Sequence, residues 1–173
     1  MRIGLDARTV YSATRRGTGK NLIDLYRRVA GLRPGWRFVM LHRCADVVSG
    51  DGETAGRGGA MEDPFADLPN VEHCCIEMPG DRWGLWQRVR LPWAAKAAGA
   101  DLLHCPANTG PAHPLVPMLL TIHDLIPLEQ PGSHPNPRKW GRAVGRAARA
   151  ARRIVTPSAY SKGRIAEVFG VSP

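Results

Sequence analysis

Residues 15–24 read RRGTGKNLID, two glycines and a threonine set just ahead of an apolar helical pattern, the make-up of a turn that could wrap an anion with backbone N–H groups. A Walker A loop needs G-x-x-x-x-G-K-[ST], where the opening glycine shapes the phosphate cradle and the final hydroxyl ligates magnesium. Here Thr14 stands where that glycine belongs, and Asn21 follows Gly19-Lys20 in place of a hydroxyl residue. The dinucleotide fingerprint G-x-G-x-x-G starts at Gly17 and Gly19, but Leu22 takes the third place. What the spacing supports is a Gly17-Thr18-Gly19 turn feeding a helix N-terminus, where free N–H groups and the helix dipole favour an anion; a turn without a ligand fits these residues equally well.

Three further polar clusters carry groups suited to hydrogen bonding or proton transfer: Asp6-Ala7-Arg8, His104-Cys105-Pro106-Ala107-Asn108, and His123-Asp124. Each falls at the end of a segment that reads as a strand. The pattern of elements runs strand 2–8, helix 19–32, strand 36–43, strand 71–78, helix 82–100 interrupted at Pro92, strands 101–105 and 118–123, helix 137–151, strand 152–157 and helix 158–170. The runs DLLHC and MLLTIH are almost continuously apolar, as expected of strands covered on both faces, and the proline-rich stretch 106–117 between them excludes a helix. Ser158 and Gly170 are the expected caps of the last helix. Residues 45–70, poor in apolar side chains, read as a mobile loop. Strands alternating with helices predict an α/β fold, a doubly wound Rossmann-like domain over 1–173 with a mostly parallel central sheet. In such a sheet, ligands sit beyond the carboxyl ends of the strands, so the three clusters converge on one edge.

The composition narrows the classes further. The 173 residues carry a net charge of +9 and include 20 Arg against 4 Lys, which favours acidic partners. Cys44, Cys74, Cys75 and Cys105 have no C-x-x-C spacing of a zinc knuckle or redox motif and read as reduced packing residues, and no metal or cofactor is expected. With no signal peptide and no apolar run near 18 residues, the expected location is the cytoplasm.

The segments RIGLDAR, RRGTGKNLIDL, ADLLHCPANTGP, LLTIHDLIPLEQP and ARRIVTPSAYSKGRIAEVFGV together resemble the N-terminal half of retaining GT-B glycosyltransferases of family 4, most specifically in TIHDLIP and TPSAYSK. The resemblance implies an acceptor-side domain facing a second Rossmann-like domain across a cleft. It implies transfer of a hexose, mannose among the candidates, from a UDP- or GDP-linked nucleotide-sugar donor to a saccharide or lipid-linked acceptor in bacterial surface polysaccharide or glycolipid synthesis. Gly17, Thr18 and Gly19 would approach the donor diphosphate, His123 would lie by the transferring sugar with Asp124 holding its turn or sharing the chemistry, and Arg8, Asn108 and Lys162 would contact acceptor or phosphate. The family's E-x7-E pair is missing, since no two of the six glutamates stand eight apart. The expectation is therefore half of an active site, with the donor-binding C-terminal domain lying outside this sequence and no turnover from this segment alone.

Between Gln130 and Ala166 there are nine Lys or Arg and no acid. Lys139, Arg142, Arg146 and Arg149 recur three or four residues apart on the 137–151 helix, either a solvated face or a surface for an anionic membrane at the inner leaflet, with Trp83, Trp86 and Trp93 as candidate anchors of which at least two are expected to pack against the sheet instead. Two other functions fit parts of the pattern. A free-standing Rossmann-like regulatory domain would keep the fold without the chemistry. A nucleic-acid-binding module would use the same arginines, but it lacks zinc ligands, aromatic recognition strands and a helix-turn-helix, so no nucleic-acid partner is expected.

Overall fold

The computed structural model describes residues 1–12, 17–43, 63–77 and 83–172, with Trp83 and Pro131 described by their backbone alone. Six strands, β1 (Arg2–Asp6), β2 (Arg37–Arg43), β3 (Val71–Ile76), β4 (Leu102–Cys105), β5 (Met118–Thr121) and β6 (Arg153–Val155), form one sheet in the order β3-β2-β1-β4-β5-β6. Every pairing is parallel, where a mostly parallel sheet was expected. The chain winds outward in one direction from β1 and in the other from β4, the doubly wound α/β arrangement of Rossmann-like domains.

The register sorts side chains onto two faces. Ile3 and Leu5, with Phe38 and Met40 of β2, pack against Leu22, Tyr26 and Ala30 of α1 (Gly17–Leu32). On the opposite face, Val39, Leu41, Leu103, Met118 and Leu120 meet the helices that follow β3, β5 and β6. The first of these is a composite: a turn of α2 (Trp83–Leu85), a π-helical stretch over Trp86–Arg90, then α3 (Leu91–Ala97). The expected interruption at Pro92 takes this π form. Proline has no N–H to donate and its ring crowds the preceding turn, and the widened turn, in which the Leu91 N–H reaches the Trp86 carbonyl, accommodates both. At Gly4 of β1 a Cβ would stand 3.3 Å from Leu41 Cδ1, 3.5 Å from the Cβ of Ala100 and 3.8 Å from the Cβ of Ala95 in α3, so the bare glycine eases the packing of Leu41 and of the end of this helix on the strand.

A short helix, α4 (Ile126–Glu129), precedes α5 (Pro137–Ala150) and α6 (Ala159–Phe169). Asn136 caps α5 by accepting the Lys139 N–H, and Ser158 caps α6 at the N–H of Ser161. Gly170, in the left-handed region at φ 63°, ends α6 as expected. Glycines also set the spacing around α5. A Cβ on Gly145 would come within 2.9 Å of the Phe169 ring of α6.

Three expectations are corrected. Residues 63–70, read as part of a mobile loop, are packed: Phe65 is buried in the α1-side core, Asn70 donates to the carbonyls of Ala30 and Arg33, and Asp67 pairs with both Nη atoms of Arg27. One deeply buried aromatic is enough to hold an otherwise polar segment; residues 45–62 lie outside the described residues. The apolar run of β5 is fully covered on one face only, since Met118 and Leu120 are buried while Leu119 and Thr121 are half-buried. Cys75 is disulfide-bonded, whereas Cys74 and Cys105 are free. Alternation along β3 turns Cys74 toward the core and leaves Cys75 exposed, where a second sulfur can reach it. Cys44 lies outside the described residues.

Candidate active site at the carboxyl rim

Because all six strands are parallel, their carboxyl ends share one edge, and the strand order reverses between β1 and β4. The segment after β1 leads to α1, the segment after β4 carries Pro106-Ala107-Asn108, and His123 follows β5 by two residues. β1 and β5 flank β4, so their ends lie roughly 10 Å apart at ordinary strand spacing. Gly17, Thr18 and Gly19 form the first helical turn of α1 on that edge, with Gly17 exposed, Thr18 half-buried and Gly19 buried. The expected turn is thus the start of the helix itself; residues 13–16 lie outside the described residues.

His123 is held from several sides. Its backbone N–H donates to Asn108 Oδ1 at 2.7 Å, and its ring Nε2 donates to the carbonyl of Pro106 at 2.9 Å. A carbonyl only accepts, so in the neutral ring the proton sits on Nε2 and Nδ1 keeps a lone pair. Among the described residues nothing bonds that Nδ1. Asn108 sits at φ 60°, a left-handed conformation that asparagine tolerates better than most residues, and its N–H donates to the Thr121 carbonyl. It thereby ties the turn after β4 to the end of β5, and its side chain, expected to contact the sugar acceptor or phosphate, instead accepts the His123 N–H through Oδ1. Gln87, from the π-helical stretch, donates to Thr109 Oγ1, and Ser161 of α6 donates to the His123 carbonyl at 3.4 Å. Neither Gln87 nor Ser161 stood out in the sequence, where only the TPSAYSK segment hinted at the latter.

Beneath this rim lies a buried polar chain. His104, 4% exposed, joins the Tyr26 hydroxyl at Nδ1 (2.7 Å) and Thr121 Oγ1 at Nε2 (2.8 Å). Burial pushes the imidazole pKa down to about 4, with the charge of His123 acting in the same direction and Asp6 opposing, so the ring is neutral near pH 7. Burial also pushes the Tyr26 hydroxyl up, leaving it protonated. His104 is interior support for β5, not a group open to the rim.

Arg8 is placed differently from the expectation that it meets a ligand. Only 6% exposed, it donates from Nε and Nη2 to the two oxygens of Asp6, at 2.7 and 2.6 Å, with its guanidinium carbon 4.9 Å from the centre of the Trp86 ring. A guanidinium this far from water needs its carboxylate, which explains why Asp6 and Arg8 occur together. Asp124 accepts the Ile126 N–H at 3.1 Å and so holds the turn into α4, the first of the two roles expected of it. Lys162 is exposed on α6 and lines a cavity of about 700 Å³ along the free edge of β6, with Arg149, Arg152 and Arg153. The structure thus gathers Gly17–Gly19, Asn108, His123 and Asp124 on one edge, buries Arg8 below it and sets Lys162 beside it.

A parallel doubly wound sheet whose polar groups collect on the carboxyl rim, next to the reversal in strand order, defines an α/β domain of the Rossmann type. The chain belongs to Glycosyltransferase Family 4, whose model matches residues 54–173. The matched span contains His104, Asn108, His123, Asp124 and Lys162, while Arg8 and Gly17–Gly19 precede it. No curated protein matches the chain. Among the described residues no group of His, Cys, Asp and Glu is arranged to hold a metal, and no helix is long and apolar enough to cross a membrane.

Proposed function

We propose that this glycosyltransferase-family domain is the acceptor-side half of a retaining transferase, working with a second domain that carries the paired glutamates gripping the donor sugar. The donor is a UDP- or GDP-linked hexose and the acceptor a saccharide or lipid-linked saccharide. The first turn of α1 offers its backbone N–H groups, at Gly17, Thr18 and Gly19, to the donor diphosphate. His123 turns the Nδ1 lone pair toward a hydroxyl of the transferring sugar, with Asn108 and the Pro106 carbonyl fixing the ring. No step requires a metal, because helix dipole and amide groups meet the diphosphate charge directly.

The observation that carries this reading is the tethering of His123 by Asn108 and Pro106, which commits one ring nitrogen and leaves the other open at the rim. In the longer enzyme carrying this chain, His123→Ala is expected to lower kcat roughly a hundredfold or more with little change in KM for the donor. Transfer at the parental rate would remove His123 from the reaction. The anomeric configuration of the product, read by NMR, tests retention.

A further inference from the structure

The loop after β4 engages one atom of each partner and leaves another open. The Pro106 carbonyl accepts from His123 Nε2, so Nδ1 keeps its lone pair, and Asn108 Oδ1 accepts the His123 N–H, so Nδ2 keeps its protons. Thr109 Oγ1 accepts from Gln87 Nε2 and donates its own proton to the Ala107 carbonyl at 3.4 Å. That relay fixes the Gln87 carboxamide: with Nε2 committed to Thr109, Oε1 remains as an acceptor. Among the described residues nothing donates to Gln87 Oε1 or accepts from Asn108 Nδ2, and neither atom is sealed from solvent. The π-helical stretch brings Gln87 to this place. Its neighbour Trp86, fully buried with the Arg8 guanidinium carbon 4.9 Å from its ring centre, anchors the stretch at the end of β1, while Gln87, 8% exposed, reaches the segment after β4. Between β1 and β4 the strand order reverses, which is where open α/β sheets hold their ligands. A nearly buried amide with one open oxygen at that point is a preset hydrogen-bonding group, its side-chain freedom already given up on folding.

His123 Nδ1, Asn108 Nδ2 and Gln87 Oε1 make an acceptor, a donor and an acceptor, and residues 106–123 contain no Asp, Glu, Lys or Arg. Hydroxyl groups, which donate and accept at once, match such a set; a carboxylate or phosphate would face two acceptors and no cation of the loop. We infer that Gln87 is a specificity-determining residue: its Oε1 accepts from a hydroxyl of a neutral pyranose seated against His123 and Asn108, and the subsite discriminates against uronates and phosphorylated sugars. The inference rests on the transferase reading for the class of ligand, and its test reads binding, without turnover.

The test is NMR titration of the nitrogen-labelled full chain with methyl α-hexopyranosides of the gluco, manno and galacto series and with methyl α-glucuronide. A neutral hexoside is expected to shift the side-chain amide resonances of Gln87 and Asn108 together, and the glucuronide to bind about tenfold more weakly or less. Gln87→Met, similar in length and without polar hydrogen-bonding groups, is expected to weaken the hexoside roughly fivefold to tenfold, the worth of one uncharged hydrogen bond. Its unfolding midpoint is read alongside, and the parent titration stands by itself if the variant does not fold. Among monodeoxy hexosides, the one lacking the hydroxyl that Gln87 reads is expected to bind parent and Gln87→Met alike, a coupling that a merely structural role would not produce. Hexosides that shift neither amide, glucuronide bound as tightly as the neutral sugars, or a Gln87→Met loss equal for every deoxy analogue would overturn the inference. In the longer enzyme, a rise in KM confined to the donor seats the transferring sugar in the subsite, one confined to the acceptor seats the acceptor there, and KM unchanged for both would overturn it. Parental transfer by His123→Ala, with Gln87 still responding to hexosides, would remove His123 from the reaction and leave the subsite standing, so the two failures are separable.

Discussion

Asn108 offers a sharp test, because one residue carries both a backbone strain and the bond that places His123. Its Oδ1 takes the His123 N–H at 2.7 Å, and its backbone sits at φ 60°. Replacement by alanine leaves a half-buried N–H without its acceptor, worth about 1–2 kcal/mol, and forces a Cβ without a polar handle into the left-handed region, worth about 1 kcal/mol more. The expected total is ~2–3 kcal/mol. Asn108→Gly loses the same bond but adopts the backbone freely, its added unfolded-state entropy offsetting part of that relief, so ~1–2 kcal/mol is expected. Asn108→Asp keeps the acceptor and is expected within about 0.5 kcal/mol of the parent. Urea unfolding followed by tryptophan fluorescence gives the order, and amide exchange at His123 gives a local readout that should quicken roughly tenfold in the alanine and glycine variants. Alanine as stable as aspartate would refute the bond, and glycine less stable than alanine would refute the strain.

Two further outcomes follow from the interior. His104, with its pKa lowered to about 4 in the fold against about 6.5 unfolded, takes up a proton more readily when unfolded; its contribution is complete above about pH 6.5 and is lost as pH falls toward 4. The pH dependence of stability between about pH 7 and about pH 4.5 should therefore flatten by ~2–3 kcal/mol in His104→Gln, and an unchanged slope would show that the ring is not held neutral. Two helical glycines should respond oppositely to alanine: Gly163 has open space and is expected to gain roughly 1 kcal/mol from helix propensity. At Gly145 the new methyl meets the Phe169 ring, and overpacking of about 1–3 kcal/mol is expected to outweigh the same gain, so thermal melts should move apart in the two variants.

Local pattern made the order of elements legible. The apolar run of β4, the caps Ser158 and Gly170 and the helical spacing of α5 depend on side chains a few residues apart, and they stand where the sequence places them. The convergence of the polar clusters on one edge was also legible, since parallel strands put their carboxyl ends together whatever their order. Packing at a distance was not. Phe65 reads as a lone aromatic in a polar stretch until the α1-side core closes over it, and Arg8 reads as a free cation until burial with Asp6 and Trp86 makes it an interior ion pair. Neighbours on a strand point to opposite faces, as Cys74 and Cys75 do, yet only the fold decided which of them found a sulfur. The same holds at His123. Residue type marked it as a candidate, while the choice of which nitrogen remains open came from a carbonyl 17 residues away, brought near by the pairing of β4 with β5. Sequence fixes what each segment prefers to be; which polar atoms are left without partners depends on contacts between segments far apart in the chain, and those exist only once the sheet has formed.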